Sequence, residues 1–294
     1  MKRLYKTAVI AAAVAVISGI PEFSWLINKG LAPVSETIGS TVEKAADAIE
    51  TAVCSMEEET APASSSVSCG WYCKHMKDGA RPPIPTEMSY ISDHNGYFLG
   101  EDQKVIYLTF DAGYENGNIE KVLDALKEAN VPAAFFILEN LVKSNTALVE
   151  RMANEGHTVC NHTARHRDMT KMGSKEAFAA ELSAMENIYT EITGKELSKY
   201  YRPPEGKISE ENLEWADSLG YKTILWSYAY ADWDNAAQPS PEKAIEKIMS
   251  GVHNGEVLLL HPTSSTNAQI LPELIRRLKE MGCRFGTLDE LCAG

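Results

Sequence analysis

The chain is short of positive charge: across 294 residues, 28 Lys and Arg stand against 41 Asp and Glu, a formal net charge of -13 at pH 7. Non-specific binding to nucleic acid rests on basic surface, so this balance argues against such a partner. An anionic ligand would need a local cationic patch. Long apolar runs are missing too. The one continuous stretch, residues 8–20, stops at Pro21 and falls short of the ~20 apolar residues that cross a bilayer as a helix. With Lys2, Arg3 and Lys6 ahead of it, this stretch has the charged and apolar regions of an export signal, and Val16 and Ser18 are small enough for a cleavage site. Residues 1–20 are therefore expected to be a signal peptide or signal anchor, which puts the rest of the chain outside the cytoplasm, and any membrane contact is expected only there. Zinc-module spacing is also absent: three residues separate Cys69 from Cys73, and no second pair lies at a suitable distance. The six cysteines of an exported chain fit disulfides or free thiols, and their connectivity is not readable from spacing.

What is present changes character along the chain. Residues 21–68, with scattered proline, the acidic run Glu57 to Glu59 and the tract "APASSSVS", read as a partly disordered tether with a weak helical pattern at 34–53. Residues 69–100 are aromatic and turn-rich ("GWYC", "RPPIP", "HNGYFLG") and read as an ordered lead-in packed on the main domain. From residue 101 to 294, short β-rich runs alternate with amphipathic stretches. Strands are expected within 105–110, 133–138, 157–162, 199–204, 221–227, 256–261 and 284–288. Ile119, Val122, Leu123 and Leu126 have the spacing of one buried helix face, and Ile270, Leu274, Ile275 and Leu278 that of another. Gly156, Gly220 and Gly282 fall where a left-handed helix C-cap is expected. This alternation predicts an α/β fold, a parallel sheet covered by helices and either open or closed into a barrel.

Ionisable residues gather at the C-terminal ends of these strands, where the loops of a barrel converge. Asp111 ends the first, in "VIYLTFDAGY". His162 ends the third, and His166 follows in "HTARH". Arg202 opens "RPPEG", Asp232 and Trp233 follow the fifth strand, and His261 ends the sixth in "LLLHP". Each has an ordinary reading: Arg202 as a structural ion-pair residue, Asp232 as a turn residue, His261 as a satisfied core histidine. His162 and His166 have the spacing that lets two imidazoles face one metal on a helical turn, a pattern that alone is weak. Their convergence with Asp111 and His261 makes a site the stronger reading. Trp233, in a loop, is a candidate for a sugar-binding groove. His75, His94, His157 and His253, with Trp71, Trp215 and Trp226, read as structural or surface residues.

Taken together and in order, "TFDAGYE", "HTARH", "RPPEG", "DW" and "LLLHP" resemble the motifs of the polysaccharide deacetylase family, the NodB-homology domain of carbohydrate esterase family 4. The resemblance covers residues 101 to 294 and implies a distorted (β/α)7 barrel. "DGARPPIP", "NGYFLG" and "GYENG" resemble most the muramic acid deacetylases that help form muramic δ-lactam in spore cortex. By this resemblance His162 and His166 hold a divalent metal (Zn, Co, Mn or similar), Asp111 is the general base and Arg202 holds it ionised. His261 is the general acid with Asp232 as its partner, and a backbone N–H near Gly113 or Tyr114 stabilises the oxyanion. Pro204 and Trp233 are expected to bind substrate. One position departs: where most of the family has a second, metal-ligating aspartate this chain has Ala112, which puts metal affinity in doubt. Glu115 and Asn116 are near enough in sequence to be considered instead.

The implied partner is a peptidoglycan glycan strand, on the cortex side of a forespore, after an amidase has removed the stem peptide. A bare muramic acid unit carries a lactyl carboxylate, for which Arg165, Arg167 and Lys207 are the candidate cations, though all three also read as solvated loop charges. Two other readings stand beside this one: an N-acetylglucosamine deacetylase of peptidoglycan or chitin-like oligomers, and a catalytically dead glycan-binding module.

Overall fold

The computed structural model describes residues 67–293. The expected signal or anchor segment, the tether up to residue 66 and Cys54 lie outside them. Among the described residues, no helix is long and apolar enough to cross a membrane.

Eleven strands are formed among the described residues: β1 (Cys69–Gly70), β2 (Gly96–Tyr97), β3 (Val105–Ala112), β4 (Ala134–Ile137), β5 (Thr158–Asn161), β6 (Tyr200–Tyr201), β7 (Lys207–Ile208), β8 (Lys222–Ile224), β9 (Tyr228–Ala229), β10 (Glu256–Leu260) and β11 (Arg284–Phe285). All but β1 and β7 belong to one sheet in the order β2-β8-β6-β5-β4-β3-β10-β9, with β11 paired to the start of β3. Every pairing in this sheet is parallel. Strands β1 and β7 form a separate antiparallel pair.

Each of the seven expected strand regions contains strand, but in the fifth, 221–227, the strand ends at Ile224 and another begins just beyond the region at Tyr228. Residues 222–224 pair with β6 and β2, whereas 228–229 pair with β10 at the far end of the sheet. One short run of chain thus serves both ends of the sheet and draws it into a distorted barrel. The break has a local cause: the carbonyls of Ile224 and Leu225 accept hydrogen bonds from the Arg202 side chain instead of from a neighbouring strand.

The helices are α1 (Ile119–Ala129), α2 (Glu139–Ser144), α3 (Thr146–Asn154), α4 (Lys175–Thr193), α5 (Glu210–Ser218), α6 (Pro241–Gly251), α7 (Ser265–Glu280) and α8 (Leu288–Leu291). Strand alternation divides the core in two. Ile106, Leu108, Phe110 and Ala112 of β3 join the buried faces of α1 and α7, including Ile119, Val122, Leu123, Leu126, Ile270 and Leu274. Val105 and Tyr107 point the other way and pack with Ala134, Phe136, Cys160, Ile224 and Val257. Asp111 shares the parity of this inner face, which is why the end of β3 delivers a carboxylate to the barrel mouth. The chain leaves its helices through left-handed residues at the places expected; Gly156 and Gly220 have φ of 88° and 79°. Cys69, Cys73, Cys160, Cys283 and Cys292 are all unpaired.

At the opposite end of β10, Glu256 is fully buried. One carboxylate oxygen accepts the His253 backbone N–H at 3.2 Å, and the other has no hydrogen-bond partner. Burial pushes this carboxyl up to about 8. The folded state therefore holds a proton that the unfolded state releases near 4.5, so this contribution is present at low pH and is lost as pH rises through the folded value. Replacing Glu256 with Gln should flatten the dependence: urea unfolding at about pH 5 and about pH 9 should show the variant gaining roughly 3 kcal/mol on the wild type at the higher pH.

Candidate active site

The site is organised on a guanidinium with no contact with solvent. Arg202 follows β6 and is fully buried, yet its fork is satisfied: Nε donates to Ile224 O at 2.9 Å, Nη2 to Leu225 O at 3.2 Å and Nη1 to Asp111 Oδ1 at 2.8 Å. Its Cζ lies 4.1 Å from the centre of the Phe136 ring. A planar fork with several fixed acceptors suits arginine and not lysine. For Asp111, burial opposes ionisation, but the charge and hydrogen bond of Arg202, with the charge of His261, outweigh it and hold the carboxyl below its ordinary range.

His162 presents Nε2 at 3.6 Å from Asp111 Oδ2. Its Nδ1 sits 2.8 Å from the carbonyl of Arg202, which can only accept, so Nδ1 carries the hydrogen and Nε2 offers a lone pair. Burial pushes this imidazole down to about 4, against the pull of Asp111, and it is neutral at physiological pH. His166 is brought alongside, ring centres 5.0 Å apart, though not by the helical turn that the spacing suggests. The stretch from Asn161 is a loop in which Thr163 and His166 both have left-handed backbone, φ of 73° and 55°, a conformation that costs energy for non-glycine residues. Side chains over-determine it: Asn161 Oδ1 accepts from Thr163 N at 2.8 Å, Thr163 Oγ1 from His166 N at 2.9 Å, and Glu181 from Arg165 N at 2.8 Å.

Across the cleft, His261 Nδ1 donates to Asp232 Oδ1 at 2.7 Å, and the His261 backbone N–H donates to Oδ2 at 2.8 Å. Asn267, in the first turn of α7, donates to the same Oδ2 at 2.6 Å and to His261 O at 3.1 Å. Burial favours a neutral imidazole, but the hydrogen bond and charge of Asp232 overcome it and raise His261 above its ordinary value. A carboxylate whose ionisation is favoured thus faces an imidazole whose protonation is favoured. Asn267 escaped the sequence reading, although a polar residue in register with Ile270, Leu271 and Leu274 on an apolar helix face was a readable signal.

Between these groups lies a cleft of about 690 Å³ lined by Asp111, Gly113, Tyr114, His162, His166 and His261, among others. Trp233 and Tyr114 stand on its rim, 62% and 45% exposed, and Asn235 donates to the Tyr114 hydroxyl at 2.6 Å. Trp226, Tyr230 and Glu205 also line the cleft, and Trp226 carries no sequence signal that separates it from a packing tryptophan. Pro204 is buried in the turn after Arg202 and does not reach the lining. Arg165, Arg167 and Lys207 do not line it either. The Arg165 guanidinium pairs with Glu181 at 3.5 Å, and the Lys207 ammonium sits 2.9 Å from Glu205 and 3.3 Å from Asp168.

The donor set fits a divalent cation held by two imidazole nitrogens with the remaining positions left to water or substrate. Ala112 is fully buried and counts among the residues of the helix-side core. Glu115 caps α1 through the backbone N–H groups of Gly117 and Ile119, and Asn116 donates to Thr263 O. Among the described residues no group of three or more His, Cys, Asp or Glu side chains gathers as for a metal.

A carboxylate held by Arg202, an imidazole paired with Asp232 and two further imidazoles around one cleft are the equipment of a hydrolase that directs water at an amide carbonyl. The comparisons agree with that class. The polysaccharide deacetylase family model matches residues 100–224. The peptidoglycan-N-acetylmuramic acid deacetylase PdaA of Bacillus subtilis is 39% identical over 204 residues, 69% of this chain and 77% of the relative. A peptidoglycan-N-acetylglucosamine deacetylase of Bacillus cereus is 32% identical over 211 residues, 70% of this chain and 75% of the relative. The solved structure of Bacillus subtilis PdaA, a family 4 carbohydrate esterase, superposes with a TM-score of 0.74 at 35% identity, covering 79% of this chain and 98% of that one. This chain belongs to the polysaccharide deacetylase family, and its activity is that of a hydrolase acting on amide bonds.

The charge on His261 depends on Asp232, which gives a direct test. Asp232→Asn should lower kcat/KM on an acetylated glycan by roughly 100-fold and move the alkaline limb of the pH profile to lower pH, because His261 then loses its proton earlier.

Proposed function

We propose that this protein is an exported or membrane-anchored peptidoglycan deacetylase that removes the N-acetyl group of muramic acid, on the path to the muramic δ-lactam of spore cortex, after an amidase has stripped the stem peptide. The observation that carries the reading is the pairing, in one cleft, of a carboxylate kept ionised by Arg202 with an imidazole kept protonated by Asp232. Similarity to a muramic acid deacetylase supports the choice of sugar.

In this reading Asp111 takes a proton from the attacking water as its oxygen bonds to the acetamide carbon. Arg202 keeps the Asp111 carboxylate in place and charged throughout. Backbone N–H groups at Gly113 and Tyr114 face the developing oxyanion. His261 then gives its proton to the sugar nitrogen as the C–N bond breaks, releasing acetate and a free amine, and Asp232 keeps the ring oriented for the transfer. A divalent cation on His162 and His166 would supply Lewis-acid polarisation of the carbonyl. Trp233 and Tyr114 offer exposed aromatic faces to sugar rings.

Deacetylation of N-acetylglucosamine is the second reading. It is favoured by one feature of the cleft: among the described residues no lysine or arginine lines it to receive a lactyl carboxylate, and Arg165 and Lys207 already face carboxylates. A glycan-binding module without catalysis has no need of a base and an acid held in opposite charge states.

Mass spectrometry of amidase-treated and untreated peptidoglycan, incubated with the protein and with or without added divalent metal, separates these readings. Loss of one acetyl per muramic unit, only after amidase treatment, is the expected outcome, and a further loss of water would add lactam closure. Acetyl loss from glucosamine on untreated glycan would replace muramic acid with the second substrate. Asp111→Asn should abolish the release, and activity that survives it would remove the catalytic reading. The kcat/KM profile should fall on the acid side at about 4, where His162 gains a proton and can no longer hold a cation, and should stay flat to above the ordinary imidazole value of 6.5, since His261 is shifted up.

A further inference from the structure

In the segment ahead of the barrel, one residue bonds to both pieces of chain that hold the catalytic ion pair. Trp71 is 6% exposed and follows β1, whose antiparallel register places Cys69 opposite Ile208 and Gly70 opposite Lys207. Its backbone N–H donates to Gly206 O at 2.7 Å, and its indole Nε1–H donates to Trp226 O at 2.9 Å. Those two carbonyls belong to the two pieces of chain that hold Arg202. Gly206 closes the "RPPEG" turn that Arg202 opens. Trp226 directly follows Ile224 and Leu225, whose carbonyls receive the Arg202 guanidinium.

The fit around Trp71 is close. Gly206 has φ of +65°, and a Cβ added there would lie 2.7 Å from Trp226 Cη2 and 3.2 Å from Trp71 Cβ. On its other side the Trp71 ring packs on Phe98, ring centres 5.0 Å apart. The Arg202 Cζ is itself 5.8 Å from the Trp226 ring centre. The turn that carries Arg202 and the strand break that receives it are therefore tied together from outside the barrel by one side chain with its own amide.

We propose that Trp71 is a positioning residue for the deacetylase reaction: by fixing Gly206 and Trp226 it sets the place of the Arg202 guanidinium and, through it, of the Asp111 carboxylate. This inference rests on the catalytic roles proposed for Arg202 and Asp111. It makes the lead-in part of the working site, although the residue lies ahead of the stretch matched by the family model. Displacements of about an ångström at a reacting group are enough to slow catalysis by orders of magnitude, so a modest loosening of the turn has a kinetic signature.

The test compares wild type with Trp71→Phe, which keeps an aromatic ring in the slot and removes the indole N–H. Expected are a kcat for acetate release lowered roughly tenfold with KM unchanged, and a crystal structure of the variant in which the Arg202 Nη1 to Asp111 Oδ1 contact is longer than 2.8 Å. Gly206→Ala, which forces Trp226 and Trp71 apart, should show the same pair of changes. A lower Tm with kcat and the contact unaltered would make Trp71 a packing residue only and overturn the proposal. Should the wild type release no acetate from any glycan, the functional reading fails separately, and the Arg202 to Asp111 distance in Trp71→Phe then decides the positioning claim on its own.

Discussion

The structure depends on burying one guanidinium. A charge with no solvent exposure is tolerated only when paired and fully hydrogen-bonded, and Arg202 takes three acceptors: a carboxylate on β3 and the two successive backbone carbonyls of Ile224 and Leu225, where β8 ends. Meeting that demand interrupts the fifth strand region, and the interruption lets the same chain pair with β6 before the break and with β10 after it. Closure of the barrel and ionisation of the base thus follow from one set of hydrogen bonds. Deleting the arginine would leave a buried carboxylate unpaired and two carbonyls without donors, so the residue cannot be separated into a catalytic part and a structural part.

A second constraint is strain. The loop between β5 and the His166 ring holds two non-glycine residues in left-handed backbone, and three hydrogen bonds from Asn161, Thr163 and Glu181 keep it there. Asn161 is anchored in turn by donating to Leu182 O and to the Tyr221 hydroxyl. Relaxing the loop would carry His166 away from His162, so the local cost maintains a pair of imidazoles that line the same cleft as Asp111. Glu205, beside Gly206 in the turn after Arg202, is another non-glycine residue at positive φ, 57°. Asp78, Asn95 and Asn130 also have positive φ, but Asn95 and Asn130 are helix caps, where such backbone is ordinary, whereas Thr163, His166 and Glu205 lie in the loops that line the cleft.

Much of the barrel was legible because its signals are local. Alternation along "VIYLTF" gives both faces of β3, and the apolar spacing of α1 and α7 gives their buried sides, without knowledge of their partners. Convergence of Asp111, His162, Arg202 and His261 could be read because parallel strands all end at one mouth. What could not be read depends on neighbours distant in sequence. Trp71 and Trp226 are indistinguishable from core tryptophans until the chain brings them together across 155 positions. The split of the fifth strand follows from where Arg202 looks for acceptors, which no periodicity records. The cation candidates Arg165 and Lys207 show the same limit, since their carboxylate partners Glu181 and Asp168 are set by the loop path.

Ala112 shows how one register choice propagates. Neighbours on a strand face opposite sides, so with Asp111 turned into the barrel mouth the side chain at 112 falls among the helix-side residues, where it is fully buried. Ala112 nonetheless lines the cleft together with Asp111, and its methyl group offers no ligand there. In the proposed reaction a cation held by two imidazoles alone leaves more of its coordination to water and substrate, and more of the charge control to protein groups. Both are in place without it: Arg202 sets the state of Asp111, and Asp232 sets the state of His261. The electrostatics of the cleft are therefore anchored at its two walls, and the histidine pair between them is the part left adaptable to the ligand.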